Sequence, residues 1–302
     1  MSNMLGVFCR ISGFTILLLT VLVCCGGLWL RMVDGQCVCG IRQTKNESVV
    51  DGEQIEPGEW PWHVGVYWWK GSKLNPPDKV CEGALVDREG WVLTAANCLK
   101  SGGGKVLELK GMIVHVGLVA LQQNTERSRR FHVENVVLNE ELDLALIRLK
   151  VYDEWEGMPI CMTDGQEDFD KIYGESVYVL QQSHRHRLGG FEIVKLQLEK
   201  EVVCYGPSLA VKARAVSDSN IKLKTKDTKY HSTGRGTPLY IKGPGGWTLL
   251  GISNKIQTSI PGSFCQPGDY ESFLNVNLAP VSVWFANELE NDGIESMETS
   301  TE

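Results

Sequence analysis

Positive charge is scarce in this 302-residue chain, where 30 Lys and Arg face 37 Asp and Glu for a formal charge of −7. With an isoelectric point near 5.5 the chain repels phosphate overall, which disfavours a nucleic-acid binder. Charge is modest altogether, at 22% of residues against 43% hydrophobic, and such a composition buries a core instead of staying disordered. Helical spacing is nearly missing. It is convincing only at Val281, Trp284, Phe285 and Leu289, so strands must supply the architecture. Nothing in the sequence calls for a cofactor or a metal, and none is expected.

Basic residues are missing altogether from residues 288 to 302, where Glu288, Glu290, Asp292, Glu295, Glu298 and Glu302 contribute −6. Residues 1 to 35 carry +1, which leaves −2 for residues 36 to 287. The acidity belongs to a short terminus, expected to be a solvated, disordered tail, and the part between is close to neutral.

Charge is also missing from Ile11 to Leu30, which follows Arg10 and holds the run Ile-Leu-Leu-Leu-Thr-Val-Leu-Val. This is a membrane-targeting segment. Its length suffices for a signal anchor, and small residues at Cys25 and Gly27 or at Val33 and Gly35 suit a signal-peptide cut. The expectation is cleavage and secretion, with 1–35 the removed segment; a type II membrane anchor is the alternative. Either route leads to an oxidising compartment, where cysteine pairs become disulfides. Cys9, Cys24 and Cys25 go with the targeting segment, leaving seven of the ten cysteines: Cys37, Cys39, Cys81, Cys98, Cys161, Cys204 and Cys265. Seven is odd, so at least one is free or bonded outside the chain. Asn46-Glu47-Ser48 is a glycosylation sequon and agrees with a secretory route.

The rest reads as short strands and turns. His63–Trp69 is rich in Val and aromatics, and Ala84-Leu85-Val86, Asp87-Arg88-Glu89-Gly90 and Trp91-Val92-Leu93 form a hairpin signature. Met112–Gly117, Phe131–Leu138, Leu144–Leu149, Ser176–Leu180 and Phe191–Leu198 are further strand candidates, and Thr237–Ile241 and Trp247–Ile252 flank the turn Lys242-Gly243-Pro244-Gly245-Gly246. The expected class is all-β with a C-terminal helix, closed into barrels that leave no exposed edge.

Longer motifs then carry a family resemblance. Val49-Val50-Asp51-Gly52, Gly58-Glu59-Trp60-Pro61-Trp62, Cys81-Glu82-Gly83-Ala84-Leu85 and Trp91-Val92-Leu93-Thr94-Ala95-Ala96-Asn97-Cys98 resemble the first half of a trypsin-like (chymotrypsin-fold) serine protease domain. Asp143-Leu144-Ala145-Leu146-Ile147-Arg148-Leu149 resembles the segment that bears the triad aspartate. Gly236-Thr237-Pro238-Leu239, Gly245–Ile252 and Cys265–Tyr270 keep the order of the second half. The resemblance covers 49–287, after a leader segment at 36–48 and before the tail at 288–302. It implies two packed six-stranded β-barrels with a cleft between them.

The same resemblance places departures at the catalytic positions. A serine protease needs a hydroxyl nucleophile, an imidazole base and a carboxylate that orients the imidazole. The motif expected to read Thr-Ala-Ala-His-Cys has Asn97 in place of histidine, and a carboxamide does not titrate near neutral pH. Where Gly-Asp-Ser-Gly-Gly-Pro is expected, Thr233-Gly234-Arg235-Gly236-Thr237-Pro238 puts Arg235 at the nucleophile position, and Arg offers only donors. Loss of either group costs about 10⁶ in kcat, so the resemblance implies a non-catalytic homologue. Asp143 is retained, with a structural role expected: it accepts a hydrogen bond from the Asn97 amide. Ser48 stands where a basic residue would be cut, Gly234 replaces the aspartate that would receive the new N-terminus, and Thr233 replaces an oxyanion-hole glycine. Lys229 stands where trypsin-like members carry a pocket aspartate, and Asn254-Lys255-Ile256 replaces the strand that holds a substrate backbone.

From the resemblance Cys81 pairs with Cys98 and Cys39 with Cys161, while Cys204, Cys265 and Cys37 keep several pairings open, including a bond to another molecule. His184-Arg185-His186-Arg187, the basic stretch Lys222–Lys229 and the cluster Arg127, Arg129 and Arg130 are expected to be solvated faces rather than metal or polyanion sites, and Trp60, Trp62, Trp68 and Trp69 to be barrel core and rim. The expected function is therefore binding or regulation outside the cell: a cofactor or decoy for an active protease in an extracellular cascade, or a component of reproductive fluid. A membrane-anchored receptor or adhesion protein and an atypical hydrolase are the alternatives.

Overall fold

The computed structural model describes residues 39–44, 48–71, 76–117, 129–151, 155, 157–162, 169–182, 190–199, 201–205, 210–214, 220–224, 235–243, 245–253, 270–276 and 280–289. Six strands close the first barrel: β1 (His63–Trp68), β2 (Lys79–Leu85), β3 (Trp91–Ala95), β4 (Met112–Val116), β5 (Arg129–Asn139) and β6 (Leu144–Leu149), joined in the order β1-β2-β3-β6-β5-β4. In β4 the period of two is plain, with Met112, Val114 and Val116 buried and Ile113 and His115 half-exposed between them. The β2–β3 hairpin is tied by Asp87, whose carboxylate accepts from the N–H groups of Gly90 and Trp91 at 2.9 and 2.8 Å. Gly90 has φ 103, and a Cβ there would lie 2.8 Å from Val151, so the turn needs glycine.

The second half contains β7 (Ser176–Gln182), β8 (Phe191–Gln197), β9 (Glu201–Tyr205), β10 (Ala210–Arg214), β11 (Asn220–Lys224), β12 (Pro238–Gly243), β13 (Gly246–Ser253) and β14 (Tyr270–Asn275). Six of them form an antiparallel sheet in the order β11-β14-β13-β12-β7-β8, and β9 pairs with β10. Strands dominate, as expected, and the second six-stranded layer carries no β8–β11 ladder among the described residues. Four strands were not anticipated: β9, β10, β11 and β14. A helix over 280–289 follows; Val281 and Phe285 are buried and Trp284 and Leu289 pack against the core.

One apolar core joins the two halves. Trp60 and Trp62 are fully buried, and the Trp60 ring lies 5.3 Å from Tyr240 on β12 and 4.6 Å from Trp247 on β13. Trp68 and Trp69 pack at its margin. The leader is anchored here too. Gly40 donates to Pro159 O and accepts from Trp247 N, both at 2.8 Å, Cys39 is bonded to Cys161, and the buried Arg42 side chain pairs with Glu59 over the Trp60 ring.

Candidate functional site

Strand register builds the site. Because β3 pairs with β6 so that Ala95 faces Leu144, the turn at Ala96–Leu99 that leaves β3 meets the residue that enters β6. That brings Asn97 against Asp143. Ala96 N–H donates to the Asp143 carbonyl at 2.9 Å, and the Asp143 carboxylate accepts from both the backbone N–H and the side-chain amide of Asn97. Its Oδ2 is buried without a partner among the described residues. Burial pushes the Asp143 pKa up, against the opposing pull of the Asn97 N–H, the Lys100 and Arg235 charges and the Asn97 amide. Asp143 also has φ 51, a left-handed conformation that Asp and Asn tolerate better than most residues.

The Cys81–Cys98 disulfide fastens this turn to β2, and Lys79 fastens it again. The Lys79 ammonium donates to the Asn97 carbonyl at 2.5 Å and to the Lys100 carbonyl. Burial lowers its pKa, and the positive charge of Arg235 lowers it further.

Arg235 enters from the second half. Its carbonyl accepts from Glu82 N–H at 3.2 Å, the next residue, Gly236, donates to Ser253 O at 2.7 Å, and Ser253 N–H donates to Thr237 O at 2.8 Å. Gly236 has φ 84, and a Cβ on it would come within 2.1 Å of Glu82 O and 2.5 Å of Thr94 Oγ1. The turn is thus locked against β2 and β3 while the Arg235 side chain is exposed. The result is one locus holding an uncharged carboxamide, a carboxylate and two cations, Lys79 and Arg235. Asn97 neither takes nor gives a proton there, and Arg235 has only donors to offer.

A second polar group lies beneath it. His63 on β1 is wholly buried, with Nδ1 3.2 Å from Tyr240 Oη and Nε2 3.7 Å from Glu82 Oε2. Burial lowers the His63 pKa to about 3 and raises that of Tyr240, the latter with help from Glu82. Sequence reading found neither this group nor Lys79. Their partners lie at least 18 residues away in the chain, and the signal available was a charged residue, Glu82, in the buried part of β2.

In Val49–Gly52 the Val49 side chain packs against the core while Val50 is 54% exposed, Asp51 Oδ1 accepts from Lys195 N–H at 2.9 Å and Gly52 N–H donates to Ile193 O at 2.7 Å. Cys204 lies on β9 opposite Val211. Cys37, Cys265, Asn46, Lys229, Thr233, Gly234, Asn254–Ile256, His184–Arg187, Arg127 and Ile11–Leu30 lie outside the described residues. Arg129 and Arg130 are exposed on β5. Among the described residues no group of His, Cys, Asp and Glu could hold a metal ion, and no helix is long and apolar enough to cross a membrane.

A closed six-stranded antiparallel barrel packed on a second six-stranded antiparallel layer, with an aspartate and the turn after β3 facing a turn of the second half, is the architecture of trypsin-like serine proteases. The trypsin family model matches residues 49–230, more than half of the chain, and the chain belongs to that family. Among its relatives is serine protease 28 of Mus musculus, 28% identical over 110 residues, which span 36% of this chain and 39% of the mouse protein.

Proposed function

We propose that this member of the trypsin family is not a protease and that it acts outside the cell as a binding or regulatory protein. One observation carries the reading: in the motifs that resemble the family's, Asn97 and Arg235 occupy the positions of the imidazole and the nucleophile, and the Asn97 amide donates to the Asp143 carboxylate that would otherwise orient an imidazole. A hydrolytic triad needs a group that can remove a proton and one that can give it up. Neither a carboxamide nor a guanidinium has the chemistry for these two roles. The partner we infer is an extracellular protein, either an active protease for which this chain is cofactor or decoy or another component of such a cascade; a reproductive-fluid protein is the same reading in another setting. An odd cysteine among Cys37, Cys204 and Cys265 offers a route to an intermolecular disulfide, and glycosylation at Asn46 fits secretion.

The decisive experiment treats the purified protein with a fluorophosphonate label beside active trypsin. No labelling and no peptide hydrolysis are expected; stoichiometric labelling refutes the proposal. The uncharged segment Ile11–Leu30 favours a second reading, a surface-anchored non-catalytic receptor or adhesion protein. N-terminal sequencing of the mature protein separates the two, because a chain that still begins at Met1 is anchored and one that begins near residue 26 to 36 is secreted.

A further inference from the structure

Lys79, Asn97 and Asp143 touch one after another: an amine, a carboxamide and a carboxylate. Lys79 Nζ lies 2.5 Å from the Asn97 carbonyl oxygen, and the Asn97 side chain branches from the same Cα as that carbonyl, so rotation about the flexible Lys79 stem carries the nitrogen from the carbonyl to Cγ. On the other side the Asn97 amide N–H donates to the Asp143 carboxylate, whose Oδ2 is buried without a partner among the described residues. The frame around the three is fixed. Cys81–Cys98 joins β2 to the same turn with a Cα–Cα distance of 5.9 Å, Lys79 Nζ also donates to the Lys100 carbonyl, and Ala96 N–H donates to Asp143 O at 2.9 Å.

An amine beside a carboxamide, with a carboxyl group to move protons, has the parts for an amide exchange. We propose that Lys79 Nζ becomes joined to Asn97 Cγ in an intramolecular isopeptide bond, with Asp143 carrying protons. Asp143 takes a proton from the Lys79 ammonium, the amine attacks Cγ, and a second Nζ proton passes to the Asn97 nitrogen as the Cγ–Nδ2 bond breaks. That nitrogen is the one already hydrogen-bonded to Asp143, and it leaves with the Asp143 proton as ammonium. Atoms and charge balance, and neither an oxidant nor a co-reactant is needed. Burial favours the neutral amine of Lys79, with help from the Arg235 charge, and burial likewise favours the protonated form of Asp143. Fixing the groups against one another supplies the effective concentration that amide exchange in water lacks. Asn97 is thereby consumed as an acyl group and never acts as a base. The product staples β2 to the turn after β3 beside Cys81–Cys98, by a bond that reduction does not open. Such a bond is separate from the binding role and does not depend on it.

The test is a mass measurement on the purified full chain. After reduction, alkylation and digestion with trypsin, residues 74–88, uncut after Lys79, should appear joined to residues 89–100 and lighter than their sum by one ammonia. Separate peptides 74–79, 80–88 and 89–100 overturn the proposal. So does a branch on residues 131–148 with loss of water, which places the bond on Asp143 instead. Lys79→Met and Asn97→Ala should lack the branched product, and its persistence in either overturns the assignment. Asp143→Asn tolerates the same φ and should slow formation of the branch about 10²- to 10⁴-fold in a time course after synthesis; linkage at the parent rate overturns the role of Asp143. A variant that misfolds does not blur the result, because the parent digest alone decides whether the bond exists.

Discussion

His63 shows how one buried side chain sets a pH dependence for the whole protein. Burial holds its folded pKa at about 3, against an unfolded value of 6.5. The unfolded chain therefore binds the extra proton first, and the native state loses stability as pH falls below 6.5, down to the folded pKa. Between pH 7 and pH 5 the loss from this residue is about 2 kcal/mol, and it hardly depends on the folded value so long as that lies below about 4. His63→Gln keeps a polar group near Tyr240 and removes the proton. Urea midpoints at pH 7 and pH 5 should differ less in the variant by that amount, and an unchanged difference would assign the acid sensitivity elsewhere. Asp143 makes a separate claim at the same scale. Asp143→Ala gives up the Asn97 hydrogen bonds and forces Ala to φ 51, a combined cost of about 2 kcal/mol. The melting temperature should drop by roughly 4–8 °C. Asp143→Asn tolerates the same φ and should cost less; an alanine variant that melts with the parent shows that the Asn97 contact carries no stability.

At the scale of elements the two disulfides do different jobs. Cys81–Cys98 closes a loop of 17 residues within the first barrel, whereas Cys39–Cys161 spans 122 and clamps the leader to β13 through Gly40. Loop-closure entropy alone makes the longer bridge worth about 2 kcal/mol more. Replacing both cysteines of each pair with serine should therefore lower the urea midpoint more for Cys39–Cys161, and the opposite order would show that local packing outweighs chain entropy. Elements also separate what was legible in the sequence from what was not. β1, β4, β6, β7 and β8 coincide within about two residues with runs of β-branched and aromatic side chains, and the β2–β3 hairpin was announced by Asp87 and Gly90. Of the four missed strands, β9, β10 and β11 are short and carry Glu201, Lys212, Lys222 and Lys224. In β11 the buried Leu223 sits between lysines that drew attention as a basic stretch, so charge masked a period of two. Asn97, Asp143 and Arg235 could be located because they stand inside longer motifs. Lys79 and the His63–Glu82–Tyr240 group could not, since tertiary packing alone brings them together.

For the whole molecule, the proposed loss of catalysis involves more than the two substitutions at Asn97 and Arg235. In the family the active arrangement also needs a new N-terminus that is released by cleavage and received by an aspartate beside the nucleophile. Here Ser48 offers no basic site and Gly234 no charge, and Val49–Gly52 is fastened to β8 through Asp51 and Gly52 with Val50 exposed. Arg235 is pinned by Glu82, whose side chain already serves the buried His63. On the proposed reading, restoring the two chemical groups leaves the new N-terminus without a basic cleavage site or a receiving carboxylate, and positioned donors supply about 10²–10³ of the rate on their own. The double variant Asn97→His with Arg235→Ser should fold, keep both disulfides and still show no turnover of peptide esters or amides above background. A quadruple variant that adds Ser48→Arg and Gly234→Asp, treated with trypsin, is the first in which turnover should rise. Activity in the double variant alone would mean that the scaffold retains a formed oxyanion hole and that the loss is confined to two side chains.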